Sequence, residues 1–180
     1  CLCNELVDLV EREQAWHQVA WDEEARAKYK TPWWGTGWFR WRTWRSAEAG
    51  IAYLAWASEL RIDEKDPASE YTDQARGAQE ILTLYHWWVD VRPLRPEPME
   101  ASGWSALCEE RRLRARARRA AENEPEDFWD DIMPDEKETP AERQQSTNII
   151  KLSHQIEAEQ AAEDEEMMIR LIRIRQHLWT

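Results

Sequence analysis

The spacing of apolar residues constrains this fold more than any other feature, because they recur at intervals of three and four through most of the chain. The clearest stripe lies in residues 70–91, where Ile81, Leu82, Tyr85 and Val89 share one face of a predicted helix. Strict alternation of apolar and polar residues, typical of strands, is nearly absent. The sequence therefore predicts an all-α protein, a compact irregular helical domain of about five helices with a Trp-rich core.

Turn and capping residues set the predicted ends of the helices. Ser46 and Ser102 are suitable N-caps, and Thr139-Pro140-Ala141-Glu142 combines a cap, a proline at the first helical position and a glutamate at the third. The predicted helices cover residues 2–28, 47–61 and 70–91, a segment that runs from Ser102 through the following arginines, and a long C-terminal helix over about 141–178. On that last helix a shared apolar face contains Ile149, Leu152, Ile156, Met167, Leu171, Ile174 and Leu178.

Composition divides the chain into three predicted parts. Residues 1–121 form a Trp-rich helical domain. Residues 122–139 form an acidic linker, since 122–138 contains nine acidic residues and two prolines and cannot bury enough apolar surface to order itself. Residues 140–180 form the C-terminal helix, which is expected to pack back on the first part.

Charge and cysteine content exclude several classes of function. The formal net charge is -12, which argues against general electrostatic binding to nucleic acid or to anionic lipid. No apolar run approaches the roughly 18 residues that a membrane span needs, so no membrane association is predicted. Three cysteines without a CxxC pair do not make a structural zinc site. No cofactor is predicted.

The stretch TPWWGTGWFRWRTWRS, residues 31–46, holds five of the thirteen tryptophans and three arginines but no acidic residue. One interpretation is a hydrophobic clamp, in which the indoles pack on the helices and the guanidiniums stack over them. A second is a surface for a protein partner or for self-association, and a third is base stacking on single-stranded nucleic acid. The predicted partner-binding residues here are Trp33, Trp34, Trp38, Trp41, Arg42, Trp44 and Arg45.

Two later segments offer further candidates. Residues 111–119 contain six arginines, which form either a solvated helix paired with the acidic segment or a nucleic-acid-binding arm. Within the acidic segment, Phe128 and Trp129 form a short apolar cluster. It either folds back on the domain or acts as a docking motif for a groove on another protein. Phe128 and Trp129 complete the predicted partner-binding set.

Catalytic motifs are sparse. Glu13 and His17 lie four residues apart on the predicted apolar face of the first helix, which is typical of a hydrogen-bonded core histidine. If Glu163 and Asp164 met them, the four side chains could bind a metal and support a metal-dependent hydrolase in a helical bundle. There is no glycine-rich phosphate loop and no nucleophile with a recognisable base. The main prediction is therefore a protein without catalytic activity.

Three stretches together resemble a family of small tailed-phage proteins found in environmental phage sequences. They are VAWDEEARAKYKTPWWGTGWFRWRTWR, ILTLYHWWVDVRPLRPEPMEASGWSALCEERR and DEEMMIRLIRIRQHLWT. The resemblance covers most of the chain but brings no activity, cofactor or site residue. It implies a phage product in the host bacterial cytoplasm or in the virion. We therefore expect a non-enzymatic phage protein that binds a host factor or a virion component, with nucleic-acid binding and metal-dependent hydrolysis as alternatives.

Overall fold

The structure is a computed structural model that describes residues 2–20, 23–31, 44–122 and 139–175. The all-α prediction is confirmed, since the described residues form helices and no strand, with one isolated antiparallel bridge between Arg61 and Tyr71. The α-helices are α1 (Leu2–Asp8), α2 (Ala15–Val19), α3 (Glu23–Lys28), α4 (Ala47–Ala57), α5 (Asp73–His86), α6 (Pro98–Ala101), α7 (Trp104–Glu122) and α8 (Pro140–Arg173).

Contacts between Cα atoms divide the chain into two units. The first comprises Cys1–Leu94 and Glu166–Thr180, and the second comprises Arg95–Glu165. The sequence places its boundaries elsewhere, near residues 121 and 139. The last two turns of α8 thus belong to the first unit.

The core of the first unit is mainly aliphatic. Leu171 of α8 is buried there, and the Cys3 thiol lies 3.6 Å from the Met168 sulfur. A smaller cluster forms where α2, α3 and α4 meet around the buried Trp44. The main cluster consists of Cys3, Leu6, Leu9, Val10, Leu54, Ala57, Ala78, Ile81, Leu84, Tyr85 and Leu171.

The predicted helix over residues 2–28 is not continuous. A π-helical segment, Leu9–Gln14, separates α1 from α2, and α2 ends at Val19. The Arg26 guanidinium of α3 donates hydrogen bonds to the carbonyl oxygens of Val19 and Ala20. It satisfies carbonyl groups that a helix end leaves open, so it stabilises the break between α2 and α3.

Helix α4 lies directly against this π-helical segment. The Ser46 hydroxyl caps α4 by accepting a hydrogen bond from the Ala49 N–H, as predicted, and the Ser46 N–H donates to the Glu11 carbonyl at 2.8 Å. Gly50 faces Val10 so closely that a Cβ atom there would lie 1.9 Å from the Val10 carbonyl oxygen. The absence of a side chain at Gly50 therefore allows the two backbones to approach.

Helix α5 begins at Asp73, three residues later than the predicted start at residue 70, because the Thr72 hydroxyl caps it by accepting a hydrogen bond from the Ala75 N–H at 3.1 Å. Its end widens into a π-helical turn, Trp87–Val91, and then tightens into a 3₁₀ turn, Arg92–Leu94. Pro93 has no N–H, and its ring would clash with the carbonyl four residues earlier in an α-helix. The predicted stop at the prolines is confirmed.

In the second unit, the predicted start of α8 is confirmed. Thr139 and Glu142 form a capping box, in which the Thr139 N–H donates to the Glu142 carboxylate at 2.9 Å and the Glu142 N–H to the Thr139 hydroxyl at 3.3 Å. The prediction that Leu152 belongs to a buried apolar face of this helix is wrong, because Leu152 is 44% exposed. Its neighbour Ser153 is buried instead, with its hydroxyl 3.6 Å from the Met99 sulfur.

Candidate functional site

Of the Trp/Arg stretch, residues 31–46, the structure describes Thr31 and residues 44–46. Trp44 is 8% exposed and packs between α2, α3 and α4, and the Arg45 guanidinium pairs with Glu11 at 2.8 Å. Trp44 is therefore part of the core of the first unit, and Arg45 is held in an ion pair. The other residues predicted in this stretch, namely Trp33, Trp34, Trp38, Trp41 and Arg42, lie outside the described residues, as do Phe128 and Trp129.

The predicted arginine-rich helix exists as part of α7, but its charges are engaged. Arg114 pairs with Glu110 and Glu142, at 2.5 and 3.1 Å between nitrogen and oxygen. Hydrogen bonds from Thr139, and then from Arg114, lower the pKa of the Glu142 carboxyl. None of the six arginines in 111–119 lacks an interaction partner. This part of α7 therefore does not offer a row of free guanidiniums to phosphate groups.

The four residues of the metal-site alternative are divided between the two units. Glu13 and His17 are both exposed, which corrects the expectation of a buried histidine on an apolar face. A π turn holds more residues than an α turn, so the π-helical segment rotates the following residues away from the predicted face. Glu163 and Asp164 bind the Arg95 guanidinium instead, at 2.7 and 2.6 Å. Across the described residues, no group of three or more His, Cys, Asp or Glu side chains could hold a metal ion.

A cleft of about 330 Å³ opens on the first unit where the N-terminal helices, α4 and α5 meet. Its volume lies at the lower end of the range of about 300–1,000 Å³ that is usual for ligand pockets. We call it the aromatic cleft. Its lining residues are Gln14, His17, Tyr53, Leu54, Ala57, Gln74, Gly77, Ala78 and Ile81.

Stacked rings form one side of the aromatic cleft. The His17 ring stacks on Tyr53 with 5.4 Å between centroids and 27° between planes, and Trp56 lies beside Tyr53 at 5.6 Å. Trp56 is 56% exposed, which is unusual for so large an apolar side chain. Tyr53 and Trp56 are three residues apart on α4, so the helix itself places both rings on the same side.

The polar side chains of the aromatic cleft are those of Gln14, His17, Tyr53 and Gln74, and none of them makes a hydrogen bond to another described residue. Among the described residues that line the cleft there is no Asp, Glu, Lys or Arg. Gln14 ends the first π-helical segment, and such segments are frequent at functional sites. The cleft thus presents several donors and acceptors over a floor of small apolar residues.

A network of partly exposed ion pairs around the buried Tyr85 links the N-terminal helices and α8 to α5. The Tyr85 hydroxyl donates to the Glu11 carboxylate at 2.9 Å, and the same carboxylate pairs with Arg45. Burial, and then the hydrogen bond to Glu11, raise the pKa of the Tyr85 hydroxyl. Glu80 of α5 pairs with Arg170 at 2.7 Å, which lowers the pKa of the Glu80 carboxyl and raises that of Arg170. These contacts hold the cleft walls in place.

Apart from His17, the residues of the aromatic cleft are not among the predicted site residues. Spacing predicts Ile51, Leu54, Ala55 and Leu60 as the apolar markers of the helix over 47–61, whereas Tyr53 and Trp56 are not among them. Large aromatic residues off the apolar stripe of an amphipathic helix are the signal that could have identified them.

Comparisons with known proteins give no relative. No protein-family model matches the chain, and neither the curated proteins nor the solved structures contain a match. Among the residues that the structure describes, no helix is both long and apolar enough to cross a membrane.

Proposed function

We propose that this chain is a non-enzymatic protein that binds a protein partner through the aromatic cleft and the adjacent Trp56. The observation that carries the proposal is the His17–Tyr53 stack, with the exposed Trp56 beside Tyr53, at the edge of a cleft whose described lining residues include no Asp, Glu, Lys or Arg. Tryptophan and tyrosine are the residues that most often supply binding energy at protein interfaces. An adjoining pocket gives such an anchor a place to be enclosed.

Charge favours a protein partner over nucleic acid. The chain carries a formal net charge of -12, and the described arginines of 111–119 are held by neighbouring groups. Nucleic-acid binding depends on cationic groups that replace counterions at the phosphates. No lysine or arginine is among the described residues that line the aromatic cleft, so stacking there would lack the electrostatic attraction that these side chains supply in single-strand binding.

The arrangement also favours binding over catalysis. A general base needs a hydrogen-bonding partner that orients it and a nucleophile within reach. His17 has neither among the described residues, because its ring contacts Tyr53 by stacking and its nitrogens make no hydrogen bond. The resemblance to phage proteins implies a partner in the host cytoplasm or the virion, which stays an expectation of this proposal. The predicted contribution of Trp33, Trp34, Trp38, Trp41 and Arg42 stays part of this hypothesis.

The proposal is tested by capture of partners from phage-infected cells with wild type, Trp56→Ala and Ile62→Ala. Ile62 is also exposed, at 70%, but it lies outside α4 and is not one of the residues that line the cleft, whereas Trp56 lies against the lining residue Tyr53, so Ile62→Ala is the control. Truncating a central anchor costs about 2 kcal/mol or more, which is roughly 30-fold in Kd. Trp56→Ala should lose the partner and Ile62→Ala should keep it.

Salt then separates the two kinds of partner. Binding of the purified partner should change little between about 50 and 500 mM salt, whereas phosphate binding weakens steeply over such a range. Equal capture by Trp56→Ala and wild type would contradict the proposal. Captured nucleic acid that salt releases would favour the second interpretation. A concentration-dependent dimer lost in Trp56→Ala would identify the partner as a second copy of the chain.

A further inference from the structure

The last two turns of α8 are apolar on nearly every side, since six of the eight residues from 167 to 174 are methionine, leucine or isoleucine. Ile169 and Ile172 are nevertheless 42% and 46% exposed. A helix segment that is apolar all round is normally buried all round, so the exposed side is expected to contact a second molecule. The side chains that pack in or against the core of the first unit are Met167, Met168, Leu171 and Ile174.

The two exposed isoleucines form one continuous surface. Ile169 and Ile172 lie three residues apart on α8, so their side chains are neighbours on the helix. We call this surface the isoleucine patch. Isoleucine is β-branched and has a lower helix propensity than leucine, lysine or glutamate, so an exposed helix position gives no local advantage to it. Burial against another molecule supplies the reason that the helix itself does not.

Charges of opposite sign flank the isoleucine patch. Glu166 precedes it and Arg173 follows it, and both side chains are exposed. The two residues are seven positions apart and therefore lie on the same side of α8. Neither side chain forms an ion pair or a hydrogen bond with another described residue, and Arg170, four residues after Glu166, binds Glu80 instead. The order along this side is thus negative, apolar and positive.

We infer that the isoleucine patch binds the same patch of a second copy of the chain, with the two α8 helices antiparallel. A two-fold axis between the helices places Ile169 of each copy against Ile172 of the other. The same axis brings Glu166 of each copy to Arg173 of the other. Parallel helices would instead bring Glu166 to Glu166 and Arg173 to Arg173. The patch therefore complements itself in charge only when the helices are antiparallel, and this self-complementarity identifies a second copy as the partner.

The inferred dimer is separate from the proposed function. Neither isoleucine lines the aromatic cleft, and both belong to α8, whereas Trp56 belongs to α4. Only two large apolar side chains per copy are enclosed, so the interface is smaller than that of a permanent dimer. We therefore expect a weak, concentration-dependent association.

Sedimentation equilibrium of the full chain between about 5 μM and about 1 mM tests the inference. Wild type should form a dimer. Ile169→Gln should raise the dimer Kd about tenfold or more, because the two-fold axis counts each lost contact twice. Leu152→Gln is the matched control, since Leu152 lies on the same helix and is 44% exposed, and it should dimerise as wild type does. Circular dichroism checks that each variant is folded.

Three results would overturn the inference. The first is a wild type that stays monomeric at every concentration. The second is an equal effect of Ile169→Gln and Leu152→Gln in folded chains. The third is a dimer that depends on Trp56 and not on Ile169, which would assign self-association to the aromatic cleft. Loss of the captured partner in Trp56→Ala, with the dimer unchanged, would support the proposed function and the inferred dimer independently.

Charge reversal tests the antiparallel pairing. Glu166→Arg alone, or Arg173→Glu alone, places like charges together at both ends of the patch and should raise the dimer Kd about fivefold. The double variant, with both reversals in one chain, restores opposite charges and should dimerise as wild type does. Single variants that dimerise as tightly as wild type, or a double variant weaker than either single one, would contradict the pairing.

Discussion

Replacing Gly50 by alanine tests the close packing that forms one wall of the aromatic cleft. The added Cβ would lie 1.9 Å from the Val10 carbonyl oxygen and 2.8 Å from its carbonyl carbon, whereas real Cβ contacts are essentially never shorter than 3.0 Å. The clash is with backbone, so no side-chain rotation relieves it. Helix α4 must therefore move away by about 1 Å, which stretches the hydrogen bond from Ser46 to Glu11 and loosens packing around Leu54.

The expected loss of stability follows from two opposing effects. Alanine improves helix propensity by about 1 kcal/mol over glycine. Overpacking a well-packed core costs about 1–3 kcal/mol and sometimes more, and a clash with rigid backbone belongs at the upper end. Gly50→Ala should lower the free energy of unfolding by about 2 kcal/mol, which shifts Tm by about 4–8 °C in a chain of this size.

Urea and thermal unfolding followed by circular dichroism measure this effect. Val10→Ala should not rescue Gly50→Ala, because the clash is with the Val10 backbone oxygen. Ala55→Gly, at an exposed position of the same helix, is a control that isolates helix propensity and should cost about 1 kcal/mol. A Gly50→Ala variant as stable as wild type, or more stable, would refute the packing described between α4 and the π-helical segment.

Three further predictions concern side-chain contacts. Glu80→Gln should lower the free energy of unfolding by about 1 kcal/mol at pH 7, because it loses the charged hydrogen bonds with Arg170. Since the pKa of Glu80 is lowered in the folded chain, wild type should lose this advantage as pH falls through that lowered value, and unfolding titrations at several pH values measure the convergence. Tyr85→Phe leaves Glu11 without its donor and should cost about 1 kcal/mol in urea unfolding. The raised pKa of Tyr85 means that this stability is present below the ordinary phenol pKa and is lost as pH rises above it, and ultraviolet titration should show one late-ionising tyrosine. Thr139→Ala should cost about 1 kcal/mol and increase amide hydrogen exchange at the start of α8, whereas unchanged exchange there would contradict the capping box.

Local signals predicted much of the fold. Ser46, Thr139 and Glu142 are capping residues whose side chains act within three positions of themselves, so the sequence is enough to identify them. The stop at Pro93 is also local. The break after α2 is not, because it depends on Arg26 reaching back to carbonyl oxygens, and periodicity contains no information on that contact.

The candidate site was harder to predict because it depends on how three helical segments meet. Helical spacing placed His17 on a buried face, and the π-helical segment before it moved it to the surface. Tyr53 and the neighbouring Trp56 become a site only because Tyr53 stacks with His17, a contact between distant parts of the chain. The tryptophan count pointed to an aromatic surface, but where described, at Trp44, that stretch is part of the core.

Hydrogen–deuterium exchange on the complex with the captured partner tests the central claim most directly. Binding at the aromatic cleft should slow amide exchange in α4, in the first two turns of α5 and around Gln14, and leave exchange in α7 unchanged. Slowed exchange confined to α7 and the first half of α8, with α4 and α5 unaffected, would contradict the assignment of the cleft as the binding site.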